Sequence, residues 1–252
     1  MLTKEYAEAK RLSEHIAGEV GKPVFYTEKA KEVARSFRLL AGEPTVKACI
    51  RIVRDRGDMI GHGLAHVKKV AIDAGAIILI ERQQSFSDAD IRRLVLLSHV
   101  ASILHDIRRS EKHHAQRGAE EAGQIMKQFS LSDRECTAIT AAIRNHEAFQ
   151  PDVVLDDPND QLLSDALYDA DKFRWGPDNF TKTIWAMVAS RNVPLSVLMS
   201  RFLPGMDGVR RIRDTFRTAT GRRYGPDFID RGMEIGHRLY TGLMEGKGQG
   251  GG

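Results

Sequence analysis

Along almost the whole chain apolar residues return every three or four positions, and no stretch alternates apolar with polar over six residues. That repeat matches the 3.6-residue turn of a helix and not the two-residue period of a strand, so the spacing predicts an all-α fold. Helices are expected over about 3–19, 28–41, 45–56, 62–83, 88–105, 114–129, 132–147, 160–174, 178–191, 194–203, 207–218 and 226–245. Ser87 with Asp90, and Ser132 with Glu135, set a hydroxyl acceptor three residues ahead of an acid, the capping-box arrangement. Asn192 ahead of Pro194 suits another start, since proline sits well where no N–H is needed. Residues 150–160 (QPDVVLDDPND) carry two prolines and four aspartates and read as a loop. Shorter loops are expected at 205–208 and 221–226, and the tail 246–252 (GKGQGGG) has no side chains to pack, so disorder is expected there. None of these segments has the composition of an interdomain linker. Residues 1–57 are expected to pack on a central domain over 58–190, with 191–245 as further helices of the same globule.

Composition excludes several kinds of chemistry. A chain of 252 residues can bury about three quarters of its unfolded surface, so core size is not limiting. The two cysteines, Cys49 and Cys136, stand far apart with no CxxC, which argues against a disulfide framework, a thiolate zinc site and a redox pair, and points to a reducing compartment. The first twenty residues mix charges without a signal-type apolar run, and the longest aliphatic run, 76–80, is far too short to span a bilayer. A cytoplasmic protein without a membrane partner is expected. The net charge of +4 is concentrated beyond residue 200, where ten Lys and Arg face six Asp and Glu. Such a surface attracts phosphates, but aromatic residues are sparse within it, so nucleic acid is not an expected partner.

Histidine placement is the chemical signal. Seven of nine histidines (His62, His66, His99, His105, His113, His114, His146) fall between 62 and 146. Imidazole and carboxylate without thiolate are the ligands of catalytic divalent metals such as Fe, Mn, Co, Ni and Zn. His62 and His66 are four apart and stack on one helix face. His105 and Asp106 are adjacent, so they converge on one ion only where the helix ends or the ion sits over the turn. HHAQRGAEEA opens the following helix, IRNHEAF closes another, and LYDADKFRW supplies late carboxylates.

The order His…His-Asp…Asp, with His66 inside HVKKV, His105-Asp106 closing SILHD and Asp171 inside DADKF, resembles the HD-domain metal-dependent phosphohydrolases over about residues 58–190. In that family the single histidine, the doublet and the late aspartate hold one divalent metal in an all-helical core. The resemblance therefore implies His66, His105, Asp106 and Asp171 on one ion. His114, followed by Gly118-Ala119, and His146, followed by Glu147, are similar to the extra histidines of two-metal members, which implies a second ion with Asp106 as the bridge. His62 falls where some relatives carry a further ligand. Asp169 competes for the late-carboxylate role, though the DKF continuation favours Asp171. His99 and His113 are expected on the surface or in packing, and His15 and His237 stand outside the cluster.

The implied reaction is hydrolysis of a phosphomonoester or phosphodiester, nucleotides included, by a metal-activated water. Arg109, Lys112, Arg117 and Lys172 are the expected phosphate-binding cations, and Glu147 the expected proton shuttle. The doublet is followed by Ile107-Arg108-Arg109, and neither the continuation of guanosine tetraphosphate hydrolases nor the Gly-Tyr-Pro of cyclic-di-GMP phosphodiesterases is present, so the resemblance carries chemistry further than substrate. Two other readings stay open: a non-haem di-iron oxygenase with the same ligands, and a non-enzymatic nucleotide-binding module.

Overall fold

The computed structural model describes residues 4–56, 63–82 and 87–248. Among them the three-and-four spacing yields helices and no strand. In chain order these are α1 (Lys4–Val20), α2 (Phe25–Glu28), α3 (Ala30–Gly42), α4 (Pro44–Asp55), α5 (Leu64–Glu81), α6 (Asp88–Leu104), α7 (His114–Met126), α8 (Asp133–Arg144), α9 (Pro158–Phe173), α10 (Ile184–Arg191), α11 (Leu195–Ile212) and α12 (Ala219–Gly248), with a π-helical turn at Asn179–Thr183 leading into α10. No helix among the described residues is long and apolar enough to cross a membrane.

A helix with little polar face belongs in the middle of a bundle. α5 and α6 are such helices, and they pack most extensively on each other. Around them lie α3, α4, α8 and α9, while α1 and α11 pack on α12. One continuous apolar core runs from Tyr6 in α1 to Leu239 in α12. Short α2, which the periodicity does not reveal, brings Phe25 into an aromatic cluster with Phe173, Tyr224 and Phe228, where Phe173 and Phe228 stack at 4.1 Å.

The Ser132 capping signal acts in full and the Ser87 signal in part, with the Asp90 carboxylate accepting from Ser87 Oγ. Ser132 and Glu135 form a complete capping box on α8, and Ser87 Oγ accepts the Asp90 N–H at 3.2 Å on α6. The acidic loop ends two residues early: the Asp157 carboxylate accepts the N–H groups of Asn159 and Asp160, and α9 begins at Pro158. Asn192 does something other than expected. It adopts φ 48° and closes α10, and α11 starts after Pro194 with no side-chain cap.

Two expected loops are helical. In α11 the apolar face of Met199, Phe202, Met206 and Val209 continues past Pro204 and Gly205, and this packing overrides the weak propensity of 205–208. α12 likewise runs through 221–226, with Pro226 inside it, and continues to Gly248 where a disordered tail was expected from 246; residues 249–252 lie outside the described residues. Its glycines mark close approach: a Cβ on Gly232 would stand 2.8 Å from the Gly176 backbone, and one on Gly221 would stand 1.9 Å from Asp169 Oδ2.

His99 is a packing residue, as expected, but deep in the bundle. It is 1% exposed, and its Nε2 lies 3.0 Å from Ser36 Oγ across a gap kept open by Gly75. Burial pushes this imidazole down to about 3. The unfolded ring takes a proton near 6.5 while the buried one stays neutral to about 3, so stability present above 6.5 is lost as pH falls through that window. With metal chelated, wild-type protein is expected to lose about 2 kcal/mol more than His99→Gln between pH 7 and pH 5, read from urea midpoints. Parallel stability curves for the two proteins would contradict this.

Candidate metal centre

Five elements end at one place. His66 lies in the first turn of α5, His105 and Asp106 follow the last turn of α6, His114 opens α7, His146 follows α8, and Asp171 lies in the last turn of α9. At the end of α6 the helical path stops, and this lets the adjacent His105 and Asp106 face a common point. His113 precedes α7 with φ 56°, and that left-handed residue turns the chain so that His114 faces inward while His113 is exposed.

The Asp106 carboxylate sits between two groups of donors. Its Oδ2 is 3.4 Å from His105 Nε2 and 3.9 Å from His66 Nε2. Its Oδ1 is 3.4 Å from His146 Nε2 and 3.7 Å from His114 Nε2. Asp171 Oδ1 joins the first group, 3.2 Å from His66 Nε2 and 3.7 Å from His105 Nε2. Donors bound at about 2.1 Å to one ion stand roughly 3.0–3.4 Å from each other, so these spacings suit a metal. Two overlapping sets, His66 with His105 and Asp171, and His105 with Asp106 and His146, are compact enough to hold an ion, and this buried cluster can bind one.

Backbone carbonyls set the imidazole tautomers. His105 Nδ1 donates to Ser102 O at 2.7 Å, and His146 Nδ1 donates to Ile143 O at 2.6 Å. Each ring therefore presents Nε2 to the centre. His105 Nε2 is buried, with the Asp106 and Asp171 carboxylates at 3.4 and 3.7 Å as its polar neighbours. Burial pushes its pKa down, but Asp106 and Asp171 push harder upward, to about 10. Burial pushes the Asp171 carboxyl up, yet Lys172, His105 and His66 hold it well below the usual carboxylate range. The carboxylates thus favour positive charge here, and a proton and a divalent ion compete for the same nitrogen. Burial, His146 and Arg109 together bring His114 down to about 4 despite Asp106 and Glu147.

The expected cations separate into three groups. Arg109 joins the centre: its Nη1 donates to His114 Nε2 at 2.8 Å, and its Nε lies 4.0 Å from Asp106. Lys172 is buried, donating to Asp171 Oδ2 at 2.6 Å and to His146 O at 2.8 Å, so it braces α9 against the end of α8 instead of facing solvent. Lys112 and Arg117 are exposed, and Arg117 pairs with Glu111 at 2.6 Å in a surface charge cluster with Arg108. The structure does not bring those two to the donors. Glu147 is half-buried and acts electrostatically on His114. His62 lies outside the described residues. Asp169 turns away from the histidines and accepts the Arg217 and Thr218 N–H groups, each at 2.8 Å, anchoring the start of α12.

A network that sequence reasoning missed ties the first donor set together from behind. Arg174, one turn past Asp171, donates to Asp73, to Tyr26 Oη at 2.6 Å and to Asp178 at 2.6 Å, and Lys69, one turn past His66, donates to Asp178 at 2.8 Å. Asp73 was its one legible sign, a lone carboxylate inside the apolar run VAIDAGAIILI. Beside His66 and Arg109 a cavity of about 300 Å³ opens between the 175–184 region and α11. Comparison with known protein families, curated proteins and solved structures returns no match.

Proposed function

We propose that this chain is a metal-dependent phosphohydrolase of the HD type, binding one or two divalent transition metals through His66, His105, Asp106 and Asp171 and through Asp106, His114 and His146. The observation that supports it is the Asp106 carboxylate, with one oxygen toward His66 and His105 and the other toward His114 and His146. When bound, such ions supply an activated water and neutralise charge on phosphoryl oxygens. The chain's own groups divide the remaining work. Arg109 is the cation within reach of a phosphate at the centre, suited to a forked contact with two oxygens. Glu147, beside His114, is placed to relay a proton. Arg174 and Lys69 hold the helices that carry Asp171 and His66 and so keep those donors in register.

Protein reloaded with Mn, Co, Ni or Fe is expected to hydrolyse generic phosphoesters. No turnover with any of these metals over a broad phosphoester panel would overturn the proposal, and a mixed-valence iron signal with dioxygen consumption would move it to the oxygenase class.

Arg109 yields a sharper expectation. A guanidinium only donates, so His114 Nε2 accepts from it with the lone pair a second ion would use. Loading the second donor set therefore displaces Arg109. Arg109→Ala is expected to tighten binding of a second Mn equivalent about tenfold in calorimetric titration, since a charge-assisted hydrogen bond no longer competes. Unchanged affinity for that equivalent would contradict the competition.

A further inference from the structure

We infer that the substrate is a phosphomonoester whose organic part is apolar and compact, an aryl or branched-alkyl phosphate; this rests on the phosphohydrolase reading above. The cavity beside the centre is what points there. It is lined by His66 and Arg109 from the donor cluster, and by Trp175, Phe180, Met187, Leu198, Phe202 and Met206. Three arginines, Arg109, Arg174 and Arg201, line it, and among the described residues no carboxylate and no lysine does. Arg174 is already committed to Asp73 and Asp178, which leaves Arg109, once its bond to His114 Nε2 is given up, and Arg201 on α11 as the cations that meet an anion. Positive charge at the donors followed by hydrocarbon walls matches a ligand with a dianionic head and an apolar body.

Size narrows the class further. At about 300 Å³ the cavity stands at the bottom of the range for small-molecule sites. A polynucleotide or a lipid of long chain does not fit within it. A ribose or polyol would bring several hydroxyls against aromatic and aliphatic walls, where Asn179 and Thr183 are the neutral polar side chains to meet them, and hydroxyls left unpaired on burial oppose binding. An aromatic ring or branched alkyl group instead gains from Trp175 and Phe202. The reaction balances simply: water forms a new phosphorus–oxygen bond, the bond to the leaving alcohol breaks, and the proton lost by water goes to that alcohol, releasing inorganic phosphate.

Binding of benzylphosphonate, which is not hydrolysed, is compared with inorganic phosphate and adenosine 5′-monophosphate by calorimetry on Mn-loaded protein. Benzylphosphonate is expected to bind at least about tenfold more tightly than inorganic phosphate and more tightly than the nucleotide, the difference coming from apolar burial. Leu198→Asn, at a half-buried position, is expected to remove about tenfold of the benzylphosphonate affinity while leaving that for inorganic phosphate unchanged. Phenyl phosphate should likewise exceed glycerol phosphate in kcat/KM by about tenfold or more. Equal affinity for benzylphosphonate and inorganic phosphate, or preference for the nucleotide, overturns this inference and leaves the hydrolase reading standing. If Mn-loaded protein binds none of the three and hydrolyses neither ester, the hydrolase reading falls and carries the inference with it.

Discussion

Asp106→Ala is expected to strip metal from both halves of the centre at once, a larger loss than removal of any one histidine. Its two oxygens lie within 3.4–3.9 Å of four imidazole nitrogens drawn from four segments. Truncation leaves His66, His105 and Asp171 on one side and His114 and His146 on the other, with nothing joining them. Divalent metal affinity is expected to fall by more than about a hundredfold, beyond what loss of an outer hydrogen bond costs. Activity should fall with it. The fold should persist, because Asp106 fills little of the apolar core and the helices that carry the donors pack through α5 and α6. Elemental analysis after desalting gives the answer directly: near-zero metal in Asp106→Ala beside full content in His99→Gln. Wild-type metal content in Asp106→Ala would remove the bridge from the description of this site.

Lys172→Met is expected to produce the largest loss of stability, and one that metal partly reverses. The Lys172 side chain is 4% exposed and donates both to Asp171 and to the His146 carbonyl. Removing one partner of a buried ion pair strands the other, at about 3–5 kcal/mol. For a chain of this length that corresponds to a fall of about 10 °C in Tm. Asp171, however, also faces His66 and His105, so a divalent ion there can supply the positive charge the variant lacks. The gap in Tm between wild type and variant should be widest in chelator and shrink clearly with saturating Mn, because a ligand that binds the native state stabilises it by mass action. The same Tm deficit with and without Mn would show that Lys172 braces the helices independently of the centre.

The cluster was legible through a resemblance: His66, His105-Asp106, His114, His146 and Asp171 come in the order of a known metal-binding pattern, and the structure draws these side chains together. What the spacing could not carry is direction. Asp169 and Asp171 are two residues apart on α9 and so point about 200° apart, and only the packing decides that Asp169 holds α12 while Asp171 faces the histidines. Lys172 reads as one more cation beside a ligand, and its role as a buried brace depends on the distant His146 carbonyl. The C-terminal glycines misled for a related reason. At Gly221 and Gly225 the residue is small because a neighbour, Asp169 or the Phe216 ring, presses on the helix, a tertiary demand that looks in sequence like a turn. Arg174 and Asp73, 101 residues apart, form an ion pair that no local pattern announces.

The most direct test of a two-part centre bridged by Asp106 is a count of metal ions per chain in wild-type protein loaded with Mn, desalted and analysed alongside its magnetic resonance spectrum. About two ions per chain, with an exchange-coupled signal as the second equivalent binds, is the predicted result. A count that stops at about one ion per chain with no coupled signal, or no metal at any loading, would contradict it.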